Sequence, residues 1–348
     1  VTTTMTHTLA YVSCAESREI LVFSLDTRSG AVTLEQRLPT AGAPSPLRLG
    51  ASRRVLYAGT RAENAVVALA IDAGTGKLEL FASTPSADSP TYVSTDRAMR
   101  ALFCASYSAN TLSVFPLAAG GAPLPASQIE VNLPHAHAAL VDLSDRWLLV
   151  PVLGADAIFV YRLDENTATL ALTANTPPVV AVRPGAGPRH LVFSPDNEHV
   201  YCLNELDASI DRFAFDTAAG HLTLKQSVSI LPPGFSGKPW AAELRLTPDG
   251  RFLYASERTA SVIAAFSVAE DSGELTLVDH YPTEQQPRAM AIAPSGRWLV
   301  AAGQLSAQLT VYALDPASGR LRAVQRHATG LDPICVEMID LAGDGDDG

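Results

Sequence analysis

A short apolar segment carrying Tyr, Phe or an aliphatic residue at an equivalent position recurs seven times along the 348 residues: LAYVS, VLYAG, LFCAS, LLVPV, VYCLN, LYASE and LVAAG. Aligning Tyr11, Tyr57, Phe103, Leu149, Tyr201, Tyr254 and Val300 gives intervals of 46, 46, 46, 52, 53 and 46 residues. A near-constant period of this length marks a chain built from one supersecondary unit that packs on copies of itself. Each segment is followed by an alternating run such as ILVFSLD, VVALAID or LTVYALD, a pattern that suits a half-buried strand. A Gly turn and another short apolar run come next, as in SGAVTL, TGKLEL and SGELTL, which is hairpin chemistry. A further strand precedes each segment and ends in a turn signal, as in LVFSPDNEH and LRLTPDGRF. The unit is four short strands, and no segment sustains a 3.6-residue period. Seven copies describe an all-β, seven-bladed β-propeller with four antiparallel strands per blade.

The segment at Tyr11 lacks an inner strand before it, while DPICVEMID is an orphan strand after the last repeat. The two ends are therefore expected to share the closing blade, which removes the exposed edges of an open ring. A single propeller over residues 1–340 leaves only a short acidic tail at 341–348.

Thirty-six acids against 25 bases give a net charge of −11, the wrong sign for a surface that must neutralise nucleic-acid phosphates. No apolar run approaches the roughly 20 residues that span a bilayer, and VTTTMTHTLAYV has neither a basic segment nor a signal-length apolar stretch. A cytoplasmic protein is expected, with no membrane partner and working as a monomer. Cys14, Cys104, Cys202 and Cys335 are far apart without metal-ligand spacing, so core positions are expected rather than a zinc site or disulfides.

Residues equidistant from a hairpin turn lie at the same end of a blade. About the turn at 194–199, Arg189 and Glu205 meet this condition and should be neighbours. Carried through the repeat, Arg189 generates a ring of Ser45, Thr91, His137, Arg189, Ala242, Arg288 and Ile334, and Glu205 generates a second of Ala15, Arg61, Tyr107, Leu153, Glu205, Arg258 and Gln304. Innermost strands line the propeller channel, so both rings should crowd one mouth of it. Several Arg side chains there repel one another unless an anion compensates, and Glu205 alone cannot balance them. Strand alternation places His190 and His135 between blades. Trp240 is open to either walling the mouth or packing within a blade, and Asp96, Asp196 and Asp249 fall in turns that favour Asp for backbone reasons.

PHAHAA (134–139), GPRHLVF (187–193), CLNEL (202–206), ERTASVIAAFSV (257–268), PTEQQPRAM (282–290) and VAAGQ (300–304) together resemble the bacterial propeller-type 6-phosphogluconolactonase family. The resemblance covers essentially the whole chain and extends to a superfamily that includes fungal carboxymuconate cyclases. It implies cofactor-free, metal-independent hydrolysis of a phosphosugar lactone, 6-phospho-D-glucono-1,5-lactone. Motif for motif, the His, Arg, Glu and Arg of the cyclase branch fall on His137, Arg189, Glu205 and Arg258. Arg288 or Arg61 would then hold the phosphate, with Tyr107 and Gln304 beside the substrate. His137, with a pKa near neutrality, is the favoured base and Glu205 the alternative.

A serine triad finds no support, since no GxSxG elbow occurs. The two rings hold one acid against several arginines, unlike the carboxylate-rich site of a calcium-dependent lactonase. Three Trp are too few for the stacking surfaces of a quinone-cofactor dehydrogenase. Two alternatives stay open: a muconate-type cycloisomerase, and a non-catalytic propeller that binds an anion or scaffolds proteins.

Overall fold

Every strand of a repeat has an antiparallel neighbour in the same repeat, and the computed structural model, which describes residues 7–164 and 170–341, arranges them as seven four-stranded sheets. Blade I joins Pro333–Leu341 to His7–Cys14, Glu19–Leu25 and Val32–Pro39. Blades II to VII follow in chain order over residues 43–85, 92–130, 140–181, 188–229, 241–282 and 287–328. The closing pair runs in register from His7 opposite Leu341 to Ser13 opposite Cys335, so both ends of the chain build one sheet. Of the tail expected at 341–348, Leu341 ends the last strand, and 342–348 lie outside the described residues. Among the described residues, helix is limited to the single turn Leu153–Ala155, and no helix is long and apolar enough to cross a membrane.

The hydrophobic core lies in slabs between blades. Phe23 and Val12 of blade I pack on Val300 and Val311 of blade VII, whereas Tyr11 and Val22 face Leu56 and Leu69 of blade II. Alternate residues of one strand thus serve two neighbouring slabs. This is why the second strand of each blade reads as a continuous apolar run rather than a half-polar one.

The repeated aromatic position has a second task. Tyr11, Tyr57, Tyr201 and Tyr254 are fully buried, and each hydroxyl donates to a turn carbonyl of the next blade: Gly76 at 3.0 Å, Gly121 at 2.7 Å, Gly273 at 2.9 Å and Gly319 at 2.8 Å. Gly76 sits at φ +67°, and a Cβ there would overlap the Leu9 side chain of blade I, so the turn needs glycine for both conformation and close approach. Trp147 and Trp298 staple their neighbours in the same way, donating to Thr217 O at 2.9 Å and Thr27 O at 3.1 Å.

Tyr201→Phe removes one such staple and leaves the Gly273 carbonyl without its donor. Denaturant unfolding should show a loss of about 1–3 kcal/mol; an unchanged midpoint would reduce the tyrosine to an apolar filler.

Candidate active site

The innermost strands are irregular where they begin. Their pairing skips Ser45 and Pro46, Arg189, Ala242 and Glu243, Arg288, and Ile334. A bulge leaves its extra residue outside the ladder and re-aims the side chain. Five of the seven positions of the first ring read from the sequence fall on these bulges, Thr91 and His137 precede their strands, and all but Ala242 line the propeller axis.

Glu205 follows the strand His199–Asn204, and its backbone N–H is tied to Gly187 O at 2.7 Å. Its carboxylate gathers the site. Arg189 Nε donates to Oε2 at 2.7 Å, Arg258 Nη2 lies 3.2 Å from Oε1, and Trp240 Nε1 donates to Oε1 at 3.0 Å. His137 Nε2 stands 3.9 Å from Oε2, too far for a direct hydrogen bond but close enough for one water to touch both. Arg258 is stacked on the Trp240 ring at 3.8 Å and donates to Ala241 O at 2.8 Å. The loop that presents Trp240 is held by fully buried Glu257, which accepts from the backbone N–H of Trp240 at 2.6 Å and of Ala260 at 2.5 Å. Trp240 therefore walls the mouth.

Above this group opens a cleft of about 290 Å³ walled by His137, Glu205, Trp240, Arg258 and Arg288, with Arg61, Tyr107, Thr91, Ser89 and Ser108 completing the rim. The structure thus brings seven of the eight expected residues together, Arg189 lying just beneath the floor, 2% exposed. Gln304 is elsewhere: it accepts from Gln286 at 3.0 Å and donates to Asp332 at 2.6 Å, so the repeat register alone did not predict its direction. The two histidines assigned to blade packing are corrected as well. His190 follows a bulge residue, so strand alternation fails there, and it lines the axial cavity beside His137. His135 is exposed at φ +57° and stacks on Tyr107 at 4.2 Å. Glu243, at the two-residue bulge of blade VI, faces the axis where the register had placed Ala242.

Electrostatics follow from burial and crowding. Burial pushes the Glu205 carboxyl up, but Arg189 and Arg258 outweigh it, so its pKa lies below the ordinary 4.5. Burial and the adjacent Arg189 pull both Arg258 and Arg288 below the ordinary arginine range. The Arg288 and Arg61 side chains make no hydrogen bond or contact ion pair with another described residue; burial lowers Arg61 too, against the more distant pull of Asp332, which acts on both. The cleft is therefore short of negative charge, and an anion placed in it would relieve each of these cations. His137 departs from the expected near-neutral value: burial, then Arg189, His190, Arg288 and Arg258, hold it well below 6.5. Its buried Nδ1 has no partner among the described residues. Among those residues no three His, Cys, Asp or Glu gather as a metal cluster. Asp96 and Asp249 act on their own turns, Asp96 accepting from the N–H of Arg100 and Ala101 and Asp249 from that of Arg251. Cys14, Cys104 and Cys202 are buried and Cys335 half-buried, all as free thiols.

A family model described as lactonase, 7-bladed β-propeller, matches residues 2–338. A 6-phosphogluconolactonase of Serratia proteamaculans is 40% identical over 285 residues, 82% of this chain and 84% of that one. One from Klebsiella pneumoniae is 38% identical over 280 residues, 80% and 82% of the two chains. The solved periplasmic gluconolactonase of Pseudomonas aeruginosa superposes with a TM-score of 0.90 at 31% identity, covering 96% of this chain and 99% of its own.

Because the Glu205 pKa is lower in the folded chain than its ordinary value, the ionised carboxylate contributes stability above about pH 4.5, and that contribution fades as pH falls through the lowered value. Glu205→Gln strands two buried guanidinium groups and should cost about 3–5 kcal/mol near neutrality. The gap between wild type and variant in denaturant melts should narrow as the pH is taken below 4.5; a gap independent of pH would show that charge is not what Glu205 contributes.

Proposed function

The chain belongs to the lactonase seven-bladed β-propeller family, and from that premise we propose that it hydrolyses 6-phospho-D-glucono-1,5-lactone to 6-phosphogluconate, the lactone-opening step of the oxidative pentose phosphate pathway. The observation that carries the choice of a phosphorylated substrate is the pair Arg61 and Arg288, cations on the cleft wall whose charge no described carboxylate meets directly. A phosphate oxygen pair matches the guanidinium fork. An unphosphorylated lactone, as the name of the Pseudomonas aeruginosa relative indicates for that protein, would leave both cations as they are.

In the mechanism, a water between His137 Nε2 and Glu205 Oε2 attacks the lactone carbonyl and gives a proton to His137. The imidazolium so formed faces the Glu205 carboxylate across 3.9 Å, which stabilises it. Negative charge developing on the carbonyl oxygen meets Arg258, a donor whose aim is set by Trp240 and Ala241 O; one well-placed donor of this kind is worth about 3–4 kcal/mol. The C1–O5 bond then breaks, O5 takes the proton back from His137, and the acid product loses its own proton to solvent. Arg189 does not line the cleft and acts by holding Glu205. Tyr107, stacked on His135 and edge-on to His137 at 5.9 Å, flanks the ring-binding space. A phosphorylated sugar does not cross membranes unaided, so the enzyme must share the compartment where its substrate forms, for which we propose the cytoplasm.

Lactone generated in situ should decay faster with the protein than by spontaneous opening, also in the presence of EDTA, and faster than unphosphorylated gluconolactone. No excess rate would reject the assignment. His137→Ala should lower kcat by about 10²- to 10⁴-fold, whereas Arg288→Ala should raise KM and leave kcat nearly intact. Since the depressed His137 pKa keeps the base form dominant at neutral pH, the acid limb of kcat/KM should fall below pH 6.5.

A further inference from the structure

Beneath Arg189 the axis opens into a second cavity, of about 510 Å³, that continues from the floor of the cleft. Its wall carries buried charge that the lactone chemistry above does not use. Arg245 Nη2 lies 3.6 Å from Glu243 and 3.3 Å from Glu337, and Arg48 lies 3.8 Å from Glu337. One member of this network reaches the site. His190 Nδ1 is 2.9 Å from Glu243 Oε1, and Arg189 Nη1 is 3.0 Å from His190 Nε2 and 3.3 Å from Nδ1. Arg189 in turn holds Glu205 at 2.7 Å. Glu243, His190, Arg189 and Glu205 form a continuous chain that ends on the carboxylate beside His137.

The chemistry of the two ends decides the middle. A guanidinium only donates and an ionised carboxylate only accepts. The Glu243 contact therefore needs the proton on Nδ1, while Arg189 Nη1, which donates to the Ala242 carbonyl, lies nearly equidistant from both ring nitrogens and packs against the face of the imidazole. Other groups around the ring agree with a single proton. Tyr92 of blade III and His137 of blade IV pack edge-on at 5.5 and 5.3 Å, and neither carries a negative charge that would favour imidazolium. Burial, then Arg189, hold His190 down to about 4 against the opposing pull of Glu243, and Arg245 lowers it further. Glu243 is pushed up by burial but held down to about 2 by Arg245 and His190, and its Oε1 also accepts from the Leu244 N–H at 3.0 Å.

We propose that Glu243 and His190 are positioning residues of the lactonase reaction: the carboxylate fixes the imidazole tautomer, the imidazole braces Arg189, and Arg189 sets the Glu205 carboxylate against His137 and Trp240. This rests on the lactone hydrolysis assigned above, and it places determinants of the reaction in blades V and VI, beneath the groups that touch substrate.

The test combines kinetics with ring nitrogen shifts. Glu243→Ala should lower kcat by about tenfold to a hundredfold with KM for the phosphorylated lactone little changed. The same substitution in a His190→Ala background should add nothing. His190→Gln should keep most of the rate, because its amide can donate to Glu243 and its planar group can pack against Arg189. Long-range ¹H–¹⁵N spectra of the wild type should show the His190 proton on Nδ1, a readout independent of turnover. An equal loss from Glu243→Ala in both backgrounds, a change in KM alone, or a proton on Nε2 would each overturn the proposal. Absence of lactone turnover by the wild type would instead reject the functional assignment, with the nitrogen shifts still deciding the tautomer.

Discussion

The pairing of Pro333–Leu341 with His7–Cys14 is the constraint on which the rest depends. Seven blades arranged around an axis form a site only if the last is held against the first, because the cleft draws on blades II through VI and on Arg288 of blade VII. Closure by backbone hydrogen bonds from both chain ends converts a stack of sheets into a ring with no free inner edge. The tyrosine and tryptophan staples then fix six of the seven junctions between successive blades through the outer hairpin, blade III carrying Phe103 at the equivalent position.

Bulges at the start of the inner strands turn that ring into a site. A regular strand directs its alternate residues into the two slabs on either side of its blade. The skipped positions break this alternation, so Arg189 and His190, adjacent in sequence, both reach the axis. Pro188 and Pro287 precede Arg189 and Arg288 where the pairing skips. Blade VI skips two residues instead of one, which exchanges Ala242 for Glu243 at the axis and puts a carboxylate where His190 can meet it.

The functional character of the site is an imbalance of charge held in a protein of opposite net sign. One carboxylate serves two guanidinium groups, while two more stand on the cleft wall without a counter-charge in contact. Buried cations of this kind are tolerated when the fold holds them rigidly, and they favour a ligand that restores neutrality. Deeper in the channel the charges are paired, Arg245 with Glu243 and Glu337. The axis thus passes from an electrically satisfied interior to an unsatisfied mouth, and that gradient directs an anionic lactone to one end.

The repeat period alone determined the fold class, the number of blades, the strand count per blade and the shared closing blade, because stacking sheets of one length around an axis admits few solutions. It also brought Arg189 to Glu205, since hairpin symmetry is a property of chain order. What it did not determine was direction. Gln304 occupies a ring position yet bonds to Gln286 and Asp332, strand alternation misplaced His190 between blades, and Glu243 and Arg245 gave no signal, because bulges and their two-residue variant leave no period to read. The depressed basicity of His137 likewise arose only in three dimensions, where residues from different blades surround one imidazole. Sequence spacing specifies which strands meet; the aim of a side chain at an irregular strand end, and the field it then feels, belong to the assembled ring.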